Sequence, residues 1–315
     1  MSVTRVIDLA YVRLQSPSLD EAEEFMTNFG TVRSERTKDR LYMRGTDPYH
    51  HLHVTEQGPA KFLGLAFYVE NEDDLLRATK APGATGIENI DEPGGGKRVR
   101  LKDLDGHNVE LICGMQLLAP LPVHRNVLNT GDAKLRRAGE LMRLPRGSSQ
   151  VKRTAHAVIL TKDAKRKTQW YRDTLGLIPS DEVYAGTKDN VIATFNRCDR
   201  GEIYVDHHVF LCVEGPTTGL NHVSFEVQTI DDVMIGHEYL LSKKKYEHVW
   251  GIGRHVLGSQ VFDYWKDPWG RVHEHWTDTD VLNNKTPPQL LSTDDGFDSQ
   301  WGEPVPQAFI THATP

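Results

Sequence analysis

The stretch 251–278 reads GIGRHVLGSQVFDYWKDPWGRVHEHWTD and gathers His255, Tyr264, His273, Glu274, His275 and three tryptophans. Imidazole, carboxylate and phenol beside apolar rings are the ingredients of a metal centre with acid–base helpers, although each alone is equally at home in a protein core. Turn signals at Gly258 and in the D-P-W-G segment divide the stretch into strand-like pieces. In a strand, side chains alternate between faces, so His273 and His275 point one way and Glu274 the other. That spacing does not say which face would hold an ion. Any missing ligands have to come from elsewhere in the chain.

The elements that could supply them repeat. A strand at 7–14 (IDLAYVRL) and a helix at 16–28 ended by Gly30 are followed by the runs RLYMRG and HHLHVTE and a compact apolar strand at 62–70. A second helix at 71–80, a glycine-rich turn at 94–96, a run at 98–101, a turn at 103–106 and a strand at 108–113 complete the half. The order then begins again with AHAVIL at 155–160 and a helix at 163–174 ended at Gly176. GLAFYVENEDDLL at 64–76 matches HVSFEVQTIDDVM at 222–234, and DLDGHNVEL at 103–111 matches DPWGRVHEH at 267–275. The repeat sets Tyr11, Gly64 and Glu110 against His156, His222 and Glu274. Only the second half offers two imidazoles and a carboxylate, a set that occupies one face of a non-heme Fe(II) and leaves the other open. The first half reads as a scaffold.

With 315 residues, 38% hydrophobic and 26% charged, the chain has material for two cored modules and no bias towards disorder. No apolar run approaches a membrane span, no secretory signal is evident at the start, and a net charge of −7 disfavours a nucleic-acid binder. Cys113, Cys198 and Cys212 are far apart and odd in number, which fits core residues in a reducing cytoplasm. Between the halves, 116–153 reads as a connector with one helix near 132–144 and a basic cluster that includes Arg136, Arg137, Lys152 and Arg153. The proline-containing tail, 283–315, lacks periodicity and is expected to wrap the body as coil.

With these motifs the chain, over about residues 5–280, resembles the type I extradiol ring-cleavage dioxygenases of the vicinal oxygen chelate superfamily. Those enzymes carry a His in the first strand of the catalytic module, a second His some 65 positions on, and a Glu four residues after the Gly of a D-P-x-G turn. Here these are His156, His222 and Glu274. The resemblance therefore implies Glu274 as the ligand within HEH. It also implies His208, second of the pair in DHHVFL, as acid–base, with His255 and Tyr264 hydrogen-bonding the substrate oxygens. After G-R-H this chain has Val256 and Leu257, where dihydroxybiphenyl enzymes carry polar residues, so the ring-substituent preference is left open.

The fold so implied is α+β: two vicinal oxygen chelate modules, each a pair of βαβββ repeats curling into an open barrel, with the site in the C-terminal one. The expected division is 1–115, the connector 116–153, the catalytic module 154–282 and the tail 283–315. The implied cofactor is Fe(II), with Mn(II) as the other candidate. The implied partners are a catecholic or trihydroxylated aromatic and O2, in a homo-oligomer. Two other readings use the same fold, a glyoxalase-type isomerase and a metal-free binding protein. Tyr11 and Gly64 count against the first, because the first half cannot supply its share of ligands, and the six-residue constellation counts against the second.

Overall fold

The structure, a computed structural model, describes residues 2–124 and 127–315. The first half runs β1 (Val6–Ser16), α1 (Leu19–Phe29), β2 (Val32–Arg36), β3 (Arg40–Arg44), β4 (His53–Gln57), β5 (Lys61–Val69), α2 (Glu72–Ala78), β6 (Glu88–Asn89), β7 (Lys97–Lys102) and β8 (Asn108–Cys113). α1 shows why these boundaries fall where they do. The Ser18 side chain accepts from the Glu21 N–H at its start, and Gly30 ends it in the left-handed region at φ 115°, where a side chain would be strained. Between the caps, Leu19, Ala22, Phe25, Met26 and Phe29 form one buried stripe.

The second half repeats the plan: β9 (Val151–Thr161), α3 (Ala164–Leu175), β10 (Leu177–Tyr184), β11 (Val191–Cys198), β12 (Val205–Asp206), β13 (Phe210–Glu214), β14 (Gly219–Val227), α4 (Ile230–Lys243), β15 (His248–His255), β16 (Val261–Lys266) and β17 (Val272–Thr277). The rest of the chain adds β18 (Val281–Leu282), β19 (Gln289–Ser292), α5 (Thr293–Gly296), β20 (Ser299–Trp301) and α6 (Gln307–Ile310). The fold is α+β, mostly strand, in two large sheets and a two-stranded ribbon of β12 with β18. The orders in the large sheets are β2-β3-β4-β1-β5-β8-β7-β6 and β19-β10-β11-β13-β9-β14-β17-β16-β15-β20.

In each sheet two first strands run antiparallel at the centre, β1 with β5 and β9 with β14. Each is flanked by a parallel strand closing its own repeat. The registers coincide as well. Tyr11 lies opposite Ala66 as His156 lies opposite Ser224, and Ala66 opposite Glu110 as Ser224 opposite Glu274. The repeat seen in the sequence is thus a repeat of backbone positions.

The two halves share a continuous core that includes Phe25, Phe29 and Phe67 from the first and Tyr171, Phe210 and Phe225 from the second. Polar contacts lock the seam. Arg271, its side chain buried against Asp267, donates to the Gln15 carbonyl at 2.7 Å and to Ser16 Oγ at 2.8 Å. Tyr171 donates to Asp103 Oδ2 at 3.1 Å, and Lys167 pairs with the same carboxylate at 2.8 Å.

Two regions differ from the sequence reading. Among the described residues the connector holds turns rather than a helix at 132–144. Leu135 and Leu141 in this stretch are 78% and 77% exposed, so no packing offsets the cost of nucleating a helix, and Gly139 adopts φ 79°. Lys152 and Arg153 belong to β9, where they pair with Glu226 and, for Arg153, also with Asp8 and Asp206. The tail does wrap the body, but as short strands and helical turns: β19 pairs with β10 and β20 with β15. No described helix is long and apolar enough to cross a membrane.

Candidate metal centre

Three adjacent strands of the second sheet, β9, β14 and β17, bring His156, His222 and Glu274 together, each fully or almost fully buried. The Nε2 atoms of His156 and His222 lie 3.0 and 3.5 Å from Glu274 Oε2, and 3.4 Å from each other. Neither Glu274 oxygen meets a donor in hydrogen-bonding geometry, an arrangement that leaves a buried carboxylate without its usual compensation. A divalent ion resolves this: two imidazole nitrogens and one carboxylate oxygen already converge on one point. The donors are in the right state for it. Burial would raise the Glu274 pKa, but the imidazoles of His156, His255 and His222 hold it well below the usual carboxylate range. Burial pushes His222 down to about 3, partly opposed by Glu274. His222 Nδ1 donates to Asn221 Oδ1 at 2.7 Å, which fixes the tautomer and turns the Nε2 lone pair towards Glu274.

The three other expected residues line the same cavity. His255 Nε2 lies 2.9 Å from the Tyr264 hydroxyl and 3.8 Å from Glu274 Oε1. Burial and Glu274 push the Tyr264 phenol well up, so it stays an O–H donor. The His208 ring sits 4.2 Å from that of His156. Burial, His156 and His207 press its pKa well below the ordinary value. Its Nδ1 is 3.0 Å from His207 Nδ1, and His207 Nε2 is 2.7 Å from Asp181 Oδ2. With His207 donating to Asp181, its Nδ1 accepts from His208, and the His208 Nε2 keeps its lone pair.

The alternation in β17 divides HEH between two jobs. Glu274 faces His156, His222 and His255, which line the cavity. His275 donates from Nε2 to the Phe29 carbonyl at 2.6 Å and stacks on the Phe29 ring at 3.7 Å, while His273 meets Phe25 edge-on at 5.0 Å. Both imidazoles are buried in the seam, which lowers each pKa to about 4 and keeps them neutral. Of the tryptophans, Trp250 lines the cavity, whereas Trp265 points away from it and donates to Asp263.

Apart from Asn221 and Gln260 the remaining walls are mostly aliphatic or aromatic, among them Val158, Leu160, Phe195, Leu211 and Leu257. The tail contributes Phe297, Val305, Phe309 and Ile310. Sequence reasoning missed these four, together with Asn221, Asp181 and Gln260, which approaches His208 Nδ1 at 3.4 Å. One available signal was the doublet His50-His51, which repeats His207-His208 with the same 3.0 Å contact between Nδ1 atoms.

At the matching place in the first half the cation is built in. Arg13 reaches Glu92 at 3.0 Å and Glu110 at 3.6 Å, Tyr11 hydrogen-bonds Glu110, and Arg98 adds contacts to both acids. At Gly64 a Cβ would lie 2.2 Å from the Asn108 carbonyl oxygen, at φ +156°, so no ligand can stand where His222 stands in the other half.

Residues 153–274 match the sequence model of the Glyoxalase/Bleomycin resistance protein/Dioxygenase superfamily. Metapyrocatechase 2 of Cupriavidus necator is 28% identical over 312 residues, covering 97% of this chain and 92% of its own. Homoprotocatechuate 2,3-dioxygenase of Brevibacterium fuscum, solved with 3,4-dihydroxyphenylacetate, superposes with a TM-score of 0.80 at 19% identity, over 99% of this chain and 94% of its own. A Mn(II)-bound glyoxalase from Novosphingobium aromaticivorans gives 0.79 at 20% identity over 99% and 97%. The two solved structures share the fold of this chain over almost its whole length.

Proposed function

We propose that this protein is an extradiol dioxygenase that opens the ring of a catechol-type aromatic with O2, yielding a semialdehyde-type product. The cofactor is Fe(II), with Mn(II) as the alternative, held by His156, His222 and Glu274. The observation that carries this reading is the buried convergence of those three donors at one end of an apolar cavity, with His208, His255 and Tyr264 beside them. The similarity to a metapyrocatechase along nearly the whole chain supports it.

Bound there, the ion would acidify a catechol hydroxyl and offer its open face to dioxygen. The chain's own groups do the rest. His208, neutral by burial, takes the proton at Nε2. The chain of hydrogen bonds through His207 to Asp181 holds the ring in that tautomer and stabilises the imidazolium that results. The same Nε2–H returns the proton to the departing oxygen. Tyr264 and His255 satisfy each other at 2.9 Å; substrate oxygens arriving between them would take over their O–H and N–H donors, which then favour the charge that builds on those oxygens. The aliphatic wall and the tail residues Phe309 and Ile310 keep water away from the reacting ring.

The lining includes no Lys or Arg among the described residues, so a catechol with an apolar substituent is the preferred substrate class. A trihydroxylated ring such as trihydroxytoluene, a catechol with one further hydroxyl, is the other candidate. The test is iron-loaded protein mixed with 3-methylcatechol without oxygen. Binding should shift the catechol absorption, and a yellow ring-opened product should form only when oxygen is admitted. No product on admitting oxygen, with iron bound, overturns the proposal.

A further inference from the structure

On the outer side of the catalytic sheet, His237 on α4, His248 on β15 and Asp263 on β16 form a second cluster, away from the cavity. His237 Nδ1 lies 3.1 Å and His248 Nε2 2.8 Å from the same oxygen, Asp263 Oδ1. The other oxygen, Oδ2, accepts from the Trp265 indole N–H at 2.6 Å. The Asp263 side chain is completely buried, while those of His237 and His248 are 18% and 26% exposed. Gly251 pairs across from Asp263, and a Cβ there would come within 3.2 Å of Oδ1, so glycine keeps that oxygen uncrowded.

Oδ1 faces both imidazole nitrogens, and His237 Nδ1 also lies 3.2 Å from Oδ2, so the carboxylate edge meets the two rings while Oδ2 is oriented by the Trp265 N–H, from a neighbour that cannot itself ligate. Ligand atoms at about 2.0–2.2 Å around a tetrahedral zinc stand roughly 3.3 Å apart, so the present contacts need to open by only a few tenths of an ångström. The spacing also matches that of His156, His222 and Glu274, where the corresponding N···O contacts are 3.0 and 3.5 Å. The two partly exposed imidazoles give an ion a way in from solvent and leave the fourth position to water.

We infer that His237, His248 and Asp263 form a second, surface-accessible site for a borderline divalent ion, Zn2+ above all, separate from the catalytic centre. Two imidazoles with one carboxylate select zinc over the hard ions Mg2+ and Ca2+, which favour all-oxygen shells. An ion there ties α4 to the β15–β16 hairpin, whose inner face carries His255 and Tyr264. The inference does not depend on which reaction the first site performs.

The experiment uses tag-free, iron-loaded protein equilibrated with Zn2+, passed through a desalting column and analysed for both metals. Wild type should retain one zinc per chain with its iron unchanged, and its thermal unfolding midpoint should rise with zinc. His248→Ala and His237→Ala, both at partly exposed positions, should each lose the zinc and the thermal shift while keeping iron content and catechol turnover. Asp263→Asn serves as a third variant where it folds. Three results overturn the inference: no zinc retained by wild type, zinc gained only in step with iron lost, or zinc retained equally by both histidine variants.

Discussion

Replacing His275 by Ala should cost stability and leave iron in place, although His275 adjoins the proposed ligand Glu274. In the native protein its Nε2 satisfies the Phe29 carbonyl at 2.6 Å, and its ring lies over the Phe29 ring at 3.7 Å with 20° between the planes. Truncation leaves a buried carbonyl without a donor, a loss of about 1–3 kcal/mol. The lost ring pair adds roughly 0.5–1.5 kcal/mol. Together these give about 2–4 kcal/mol, and with a urea slope on the order of 3 kcal/mol/M the unfolding midpoint should fall by about 1 M. The measurement belongs on iron-free protein, because bound metal adds its own stabilisation by mass action. Iron content is then read separately after reconstitution. Glu274→Gln, one position away and nearly the same in volume, should do the opposite, losing iron with little change in the iron-free midpoint. If His275→Ala also lost its iron, or left the midpoint unmoved, the division of β17 into a ligand face and a seam face would be wrong.

Further outcomes follow from the same geometry. His273→Ala should keep near wild-type iron, since that ring packs on Phe25 rather than facing the cavity; metal analysis decides. His208→Phe should retain iron and lower turnover by roughly 10²–10⁴, the scale of acid–base catalysis, and unchanged turnover would remove His208 from the reaction. Arg271→Met should destabilise by about 3–5 kcal/mol in denaturant titration, because it strands Asp267 and frees Ser16 and the Gln15 carbonyl at the seam. A competition between 3-methylcatechol and 3,4-dihydroxybenzoate should favour the methyl compound in kcat/KM, since no Lys or Arg among the described lining residues would pair with a carboxylate.

The two halves and most of their strands could be read from the chain because the repeat supplies an internal comparison. Tyr11, Gly64 and Glu110 fall on the same backbone positions as His156, His222 and Glu274, as the shared registers require. Strand alternation also separated Glu274 from its two neighbours, but alternation alone cannot tell the cavity from the seam. Only the resemblance, and then the packing of His275 on Phe29, distinguishes them. What stayed hidden depends on contacts distant in sequence. Asp181 meets His207 across 26 positions, and Asn221 is tied to the tail through Phe309, 88 positions away. The cluster of His237, His248 and Asp263 draws on three elements, with no local motif to announce it. The connector misled for the opposite reason: its residues suit a helix, but nothing packs against Leu135 or Leu141.

Arg13 bears on the order in which the protein can be assembled. The first half neutralises Glu92 and Glu110 with a guanidinium of its own, so its inner face closes without any bound metal. The second half brings together two imidazoles and a carboxylate with no guanidinium or ammonium among them. Since the N-terminal half leaves the ribosome first, it can present Phe25 and Phe29 as a finished docking surface before β17 has been synthesised. Metal supply then governs only the later half, and a shortage of iron should yield chains whose N-terminal sheet is complete while the catalytic one waits.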